Sequence, residues 1–542
     1  MAISIYSLPP NIAAAWRPVI FEVTSDRYDN AARAVSAVSS GTGTFARYAT
    51  GAHTFKVGDV VTGSTFIGIN VAYNVKQTVT VISGAYIETD LLFVATATGA
   101  GVITRTNNNF QVRCETYVFD QPKLNITSVT NYGGGMVDLV YGSPHGYTSG
   151  VILVEGTTHY NSNYIIQSIP TSTSVRILAS YSASETGVSR LATLTGTKRQ
   201  QAIQIAGSPG FRMNAMKHLQ IDLTPSLIDS APASIQTPTI EAIKPYCIIF
   251  TEEFDNAVGL LTSYTQYMTA WQYADRATLQ LDLYTDLSSF IIPAAGASPS
   301  IRFLTNCPAC KFIRVGEEEQ LSFLVDASTN PSYKVAVQKY DLGGTAAAVA
   351  YLSLVAIVDK RGVIPINSNL FDATNSKVVV WLVDNSLNQK TEKRTFVMDY
   401  GKYQNPIRVY FENTLGGFDA FTFTGAFNKT TTFKKTSFKK SLPSTFLVRD
   451  RAATDIGGGN ILAYEVYSAL LSNQELLWLF ELLSSVSVFI KNIGDANFTP
   501  INILEGAGTS SSGGTQVIYD SETPQQFSII YLTSKDSLSL SA

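Results

Sequence analysis

A chain of 542 residues is long enough for roughly two to four domains, each burying its own core. Only 15% of its residues are charged while the 45% apolar share is ordinary, so Ser, Thr, Asn, Gly and Tyr stand where long solvated helices would need Glu, Lys and Arg. A net charge of −3 supplies no global field for nucleic acid or an anionic membrane, and the longest apolar stretch, near 346–358, is too short to span a bilayer. Low charge also weakens repulsion between copies, which favours life in an assembly. The opening MAISIYSLPPNIAAAW lacks a basic n-region and carries Pro-Pro, so no secretory signal is expected, and the chain reads as soluble.

In chain order, RPVIFEVTSD (17–26) and FQVRCETYVFD (110–120) alternate apolar and polar residues as strands do, and they flank a first module. A second module follows at once. Strand-like alternation then resumes in KRQQAIQIAGSPGF (198–211) and KHLQIDLTPSL (217–227). This pattern predicts a base β-domain made of 1–34, 106–123 and 196–230, interrupted by two inserted β-modules at 35–105 and 124–195.

The modules are related by an internal repeat. GAHTFKVGDVV (51–61) lies over SPHGYTSGVIL (143–153), matching His53 with His145 and Gly58 with Gly150. AYN (72–74) meets HYN (159–161), and Gly101 meets Gly187. From Asn to the closing Gly takes 27 and 26 residues, and from the earlier Gly to Asn takes 16 and 11, so the first copy has a longer turn. Two histidines in 143–164, beside Glu155 and Asn161, invite a metal or catalytic reading. The repeat argues against it, because Ala72 stands where the second copy has His159 and Glu155 has no acidic counterpart. What the copies share is turn chemistry: Gly and Asn tolerate positive φ, and a neutral His can bond backbone groups at a corner.

A Pro/Ser/Thr-rich stretch at 224–245 predicts the next boundary, followed by a central β-rich domain at 231–410 and a C-terminal β-domain at 411–542. SNQELLWLFELLSS (472–485) predicts the chain's clearest helix, near 473–484. Ser472 and Glu475 form a capping box, and Leu476, Leu479, Phe480 and Leu483 share one face. GAGTSSSGGT (506–515) reads as a flexible loop. The expected fold class is therefore mainly β, with β-sandwich or barrel domains, a few short helices and two homologous inserted modules.

Little in the chain suggests catalysis. Four cysteines are too few for a disulfide framework, and Cys307-Pro-Ala-Cys310 sits in a strand–turn–strand context with no second ligand pair, which predicts small buried residues in a turn. Glu252, Glu253 and Asp255 form one acidic cluster. Glu317-Glu318-Glu319 forms another, expected as a solvated turn tip. No G-x-S-x-G, HExxH, Walker loop or dinucleotide fingerprint occurs. NKTTTFKKTSFKKS (428–441) interleaves Lys429, Lys434, Lys435, Lys439 and Lys440 with Phe433 and Phe438, as a nucleic-acid or acidic-glycan surface would. Lysines paired at every fifth position with no Arg nonetheless favour an edge strand blunted by lysine or an intersubunit contact. No catalytic, cofactor-binding or metal-ligating residue is assigned, and no cofactor is expected.

The inserted modules, with their GAHTFKVGDVV or SPHGYTSGVIL turn, Tyr-Asn pair and closing Gly, resemble small β-modules appended to bacteriophage structural proteins. The frame, in PPNIAAAWRPVIFEVTSD, IRFLTNCPACKFIRVGEEEQLSFL, YFENTLGGFDAFTF and the late YEVYSALLSNQELLWLFELLSSVSVFI, resembles tail and baseplate structural proteins of tailed phages infecting Bacteroidota. The resemblance is one of pattern over most of the chain. It implies a virion protein assembled in the host cytoplasm: a tail-tip, baseplate or tail-ring subunit forming a closed homo-oligomer and docking other tail or connector proteins, without enzymatic activity. Neither nucleic acid nor membrane insertion is expected. The alternative implication is a receptor-binding or glycan-recognising tail protein that attaches the virion to a host surface glycan; a glycan depolymerase comes third.

Overall fold

Alternating apolar and polar residues become strands along nearly the whole chain in a computed structural model: it is mainly β, with two closed six-stranded barrels and few helices. The structure describes all residues except 1–2, 11, 29–31, 193–197, 207, 209, 222, 225–226, 228–241, 280–285, 294–298, 327–332, 354–359, 367–369, 440–452, 505–524, 534–538 and 541–542. The expected flexible loop at 506–515 and most of the expected boundary at 224–245 lie outside the described residues. Contacts divide the chain into two compact units, Met1–Asp222 with Lys244–Ala274, and Leu223–Ile243 with Asp275–Ala542.

The frame of the first unit is two sheets. One has the order Ile3–Ser7, Ile20–Ser25, Gly210–Asn214, Ile203–Gln204. The other runs Lys198–Gln201, Gln111–Val118, Ile243–Asp255, Gln272–Asp275, Ile12–Ala14, with Leu261–Met268 also paired to Ile243–Asp255. Burial alternates along Ile20–Ser25, so Phe21 points inward and meets Tyr246 and Phe250 at ring distances of 6.3 and 6.2 Å. The strand-like reading of 217–227 is corrected at its start, because Met216–Gln220 is a short helix. Its residues include no β-branched side chain, Asn214 Oδ1 accepts the Met216 N–H at 3.0 Å, and Leu219 alone is buried.

Between Ile20–Ser25 and Gln111–Val118 the chain builds the first barrel from Ala32–Ser40, Phe45–Ala49, Val60–Ser64, Lys76–Ile82, Tyr86–Leu92 and Ala97–Arg105. The second is built from Leu124–Gly133, Met136–Tyr141, Val151–Glu155, Ser162–Thr171, Ser174–Leu178 and Gly187–Ala192. With the strands of each numbered along the chain, both barrels close in the same order, 1-2-5-4-3-6. Closure removes sheet edges and buries the inward residues of every strand around Tyr48, Tyr73 and Ile103 in one barrel and Leu139, Tyr160 and Ile177 in the other.

In the second unit a three-stranded sheet (Ile291–Ile292, Glu319–Val325, Arg361–Ile366) shares a core with a five-stranded one. The latter has the order Cys310–Arg314, Arg394–Asp399, Asn375–Asp384, Tyr333–Asp341, Ala350–Ser353. An eight-stranded sheet runs from Phe418–Phe423 through Ile407–Glu412, Val488–Ile490, Thr499–Ile503, Gln525–Thr533 and Ala453–Leu471 to Phe427–Lys439, with Ser539–Leu540 beside Ala453–Leu471. The helix Asn473–Ser484 packs into its core and begins with the capping box: Ser472 Oγ accepts the Glu475 N–H, and Glu475 Oε2 accepts the Ser472 N–H at 2.8 Å. Its buried face differs from the expected one. Leu476, Leu479 and Leu482 line up with Trp478, whereas Leu483 is 38% exposed. Trp478 turns the face, because its Nε1 donates to the buried Asp419 at 2.8 Å.

Candidate functional site

The His-rich stretch is a β-corner, and in both barrels a histidine Nε2 ties it to a neighbouring hairpin, although among the described residues the His53 Nδ1 lacks the partner that His145 Nδ1 has. His145 Nδ1 accepts the Tyr147 N–H at 2.9 Å, so its Nε2 carries the proton and donates to Thr171 O at 3.2 Å in the Ser162–Thr171/Ser174–Leu178 hairpin. His53 Nε2 makes the matching bond to Ser83 O at 2.8 Å in the corresponding hairpin. Each histidine also stacks on the aromatic ring two residues on, Tyr147 at 5.1 Å and Phe55 at 5.5 Å. Gly58 and Gly150 both take positive φ, 88° and 122°.

The Tyr-Asn pair does equivalent work twice. Tyr73 Oη accepts the N–H groups of Val94 and Ala95 and donates to Ala95 O at 2.7 Å. Tyr160 Oη accepts from Ser182 and Ala183 and donates to Ala183 O at 3.0 Å. Each hydroxyl thus satisfies three backbone groups of a segment that has left its strand. Asn74 Oδ1 holds the Phe66 N–H, as Asn161 Oδ1 holds that of Thr157. His159 stands apart: it is half exposed and meets Glu185, whose Oε2 also accepts the backbone N–H groups of Thr158 and His159. That His159 bond, its largest cause, holds the Glu185 carboxyl below the usual range. Among the described residues no three His, Cys, Asp or Glu side chains converge to hold a metal ion.

The acidic clusters are structural ties. Glu252 is fully buried, accepting from Ser25 Oγ at 2.5 Å and lying 3.4 Å from Arg27 Nε. Arg27 is 3.4 Å from Asp59, which also pairs with the fully buried Arg105 at 2.9 Å. Glu253 pairs with Arg113 at 2.6 Å. The expected solvated tip at 317–319 is corrected: Glu317 and Glu319 are each only 2% exposed and converge on Arg408, at 2.8 and 3.0 Å. Glu318 reaches Lys491 at 2.7 Å. An arginine from Ile407–Glu412 drew this turn inward, a partner some ninety residues away that local sequence does not reveal. Burial works against the Arg408 cation, but Glu317, Tyr410 and Glu319 hold its pKa above the ordinary arginine value.

The cysteine pair divides as well. Cys307 is buried, which pushes its thiol up to about 12, whereas Cys310 is exposed at the start of Cys310–Arg314. The expectation of two buried cysteines therefore fails at Cys310. It lies on the outermost strand of the five-stranded sheet, which among the described residues has a neighbour on one side only.

A concave feature of the second unit has no counterpart in the sequence reading. A cleft of about 320 Å³ is lined by residues of Cys310–Arg314 and Phe418–Phe423, the outermost strands of two different sheets. Its wall includes Phe421, Tyr403 and Trp478, and its rim carries Phe312 and Leu470, 70% and 69% exposed. Lys311 Nζ donates to Ala420 O at 3.0 Å and pairs with Glu319, while Arg314 lies 3.9 Å from Glu317, so the lining cations are matched internally. Asp399 accepts from Tyr403 Oη and the Gly401 N–H, and Glu475 from Ser472. Among the described residues neither carboxylate has a cation partner. An exposed Phe in CKFIR and an exposed Leu in YSALLS were the only sequence signals, and neither stands out in so apolar a context.

The lysine-rich segment forms Phe427–Lys439, the outermost strand at the far end of the eight-stranded sheet, paired antiparallel from Phe427↔Val466 to Lys439↔Ala453. Among the described residues the strand stands at an edge, while the side chains of 431–439 and all of Lys440 lie outside the described residues. No helix among the described residues is long and apolar enough to cross a membrane. A scan against protein-family models finds no match for the chain, and neither does a search of curated proteins.

Proposed function

We propose that the protein is a structural subunit of a tailed-bacteriophage virion, a tail-tip, baseplate or tail-ring component that assembles into a closed oligomer and docks neighbouring tail proteins. The identity rests on the sequence resemblance. The observation that carries the structural part of the reading is the pair of barrels with one strand order and one hydrogen-bonded corner, which we read as a duplicated module set into a β-frame. Charged groups that could serve catalysis are spent on buried ties such as Glu252–Arg27 and Glu317–Arg408, which supports a mechanical role and no enzymatic one. Unpaired outer strands offer the surfaces through which such subunits associate. Electron microscopy of the purified protein tests this: rings of constant copy number are expected, and single particles or open filaments count against it.

The second reading, a glycan-recognising tail protein, has one observation in its favour: Tyr132 and Tyr181 on the second barrel are 54% and 42% exposed. Binding of the full chain to a panel of bacterial surface glycans, lost in Tyr132→Ala and Tyr181→Ala, would favour it over the ring.

A further inference from the structure

One end of the first barrel is apolar where the same end of the second is polar. The chain takes 16 residues from Gly58 to Asn74 but 11 from Gly150 to Asn161, and the longer path carries the short 3₁₀ turn Gly68–Tyr73. Similar hydrogen bonds hold this end in both barrels. Asn74 binds the N–H and the carbonyl of Phe66 at 3.0 and 2.8 Å, and Tyr73 Oη binds Val94 and Ala95. Asn161 likewise holds the Thr157 N–H, and Tyr160 Oη holds Ser182 and Ala183. Counting from these shared residues sets Val71, Val75, Leu92 and Val94 where the second barrel has Thr158, Ser162, Ser180 and Ser182. The fold does not ask for the change, because both barrels close in the same strand order.

The exchanged side chains are not buried by the longer turn. Ile67, Val71, Val75, Leu92 and Val94 are 41–75% exposed. The segments beside them are tied to one dipeptide, Tyr73-Asn74, so they form a single apolar surface that is ordered before any contact is made.

What the surface lacks defines its partner. Neither 60–75 nor 91–104 contains a charged residue. Nucleic acid and an anionic bilayer both call for lysine or arginine on the face that meets them. An uncharged apolar face meets its own copy without repulsion, and two copies that pair through one shared patch make a closed two-fold contact. The second barrel is a poor substitute, because its matching end is rich in hydroxyls and carries the half-exposed His159 with Glu185.

We propose that the end of the first barrel around Tyr73-Asn74 docks on the same end of a second copy across a two-fold axis, covering Ile67, Val71 and Val94 of both. The inference rests on the oligomeric reading above and specifies one of its contacts. Each copy then has one partner through this end, so the assembly holds an even number of copies.

Sizing the full chain by light scattering tests the contact. Val71→Thr with Leu92→Ser and Val94→Ser installs the residues that the second barrel already accommodates. This polar variant is expected to weaken association at least about tenfold with an unchanged circular-dichroism melt. In a Cys310→Ser background, which removes the one exposed thiol of four, Val71→Cys and Val94→Cys are oxidised separately with copper-phenanthroline. At least one is expected to give disulfide-linked dimers and nothing larger. A wild-type oligomer with an odd copy number, or one that persists in the polar variant and forms no such dimer, overturns the docking and leaves the ring standing. A monomeric wild type overturns both. Sedimentation with phosphatidylcholine vesicles that is lost in the polar variant, with the oligomer intact, also overturns the docking and assigns the surface to lipid.

Discussion

The two barrels share a strand order, a histidine-capped hairpin and a tyrosine that ties down a backbone bend, yet their main fastenings to the frame differ, although Asn163 Nδ2 of the second also donates to Thr269 O. The first is held by buried ions. Arg105 closes on Asp59 and donates to Asp26 O and Thr54 O, while Arg27 and Glu252 extend the network into the frame sheets. The second is held by an apolar seam in which Tyr117, Phe119, Cys247 and Ile249 of the frame pack on Val151, Leu153 and Ala192 of the barrel. The corner is identical because the fold demands it: three backbone groups leave the ladder there and a buried hydroxyl must meet them. The attachments face only whatever the frame presents, so they diverged freely.

Cutting each fastening should separate the two. Arg105→Met leaves the Asp59 carboxylate buried without its closest cation and should cost about 3–5 kcal/mol. Hydrogen exchange should show the loss in the first barrel and its junction, with the second barrel unchanged. Leu153→Ala opens the apolar seam and should cost about 2–5 kcal/mol, in the second barrel only and with no dependence on ionic strength in urea unfolding.

The second unit supplies a pH test. Burial, with Asp419 nearby, pushes Glu481 up to about 7, while Asn306 Nδ2 and the Thr414 N–H bind its oxygens at 2.7 and 2.8 Å. A carboxyl whose folded pKa lies above its unfolded value binds more protons when folded between the two. Its contribution to stability is therefore present at acid pH and lost as pH rises from about 4.5 to about 7. Unfolding of the second unit should be harder at the acid end of that window than above it, by up to about 3 kcal/mol, and Glu481→Gln should flatten the dependence.

Two smaller tests address the shared corner. Tyr73→Phe and Tyr160→Phe each strand backbone groups and should cost about 1–3 kcal/mol, by similar amounts in the two barrels; a large inequality would mean the corners are not equivalent. His159→Ala installs the residue of the first barrel in the second. It should change stability little, because the ring is half exposed, but raise the titration midpoint of Glu185 in a carboxyl-resolved NMR experiment.

What the sequence revealed tracks how local the cause is. Period-two alternation, the His–x4–Gly turn, the Tyr-Asn pair and the Ser472/Glu475 capping box are encoded within a few residues, and each stands in the structure. The solvated reading of Glu317–Glu319 failed because Arg408 arrives from a distant strand. Leu483 was misassigned because Trp478 turned the helix towards Asp419, a partner outside the helix's own periodicity. The cleft escaped notice for a related reason: it is made where two sheet edges meet, and neither edge advertises the other.

The central claim is that this chain works as one of several identical subunits, and its native mass tests that most directly. One discrete assembly holding a fixed number of 58.7 kDa copies is predicted. A single 58.7 kDa species that persists at high protein concentration and low salt would contradict it.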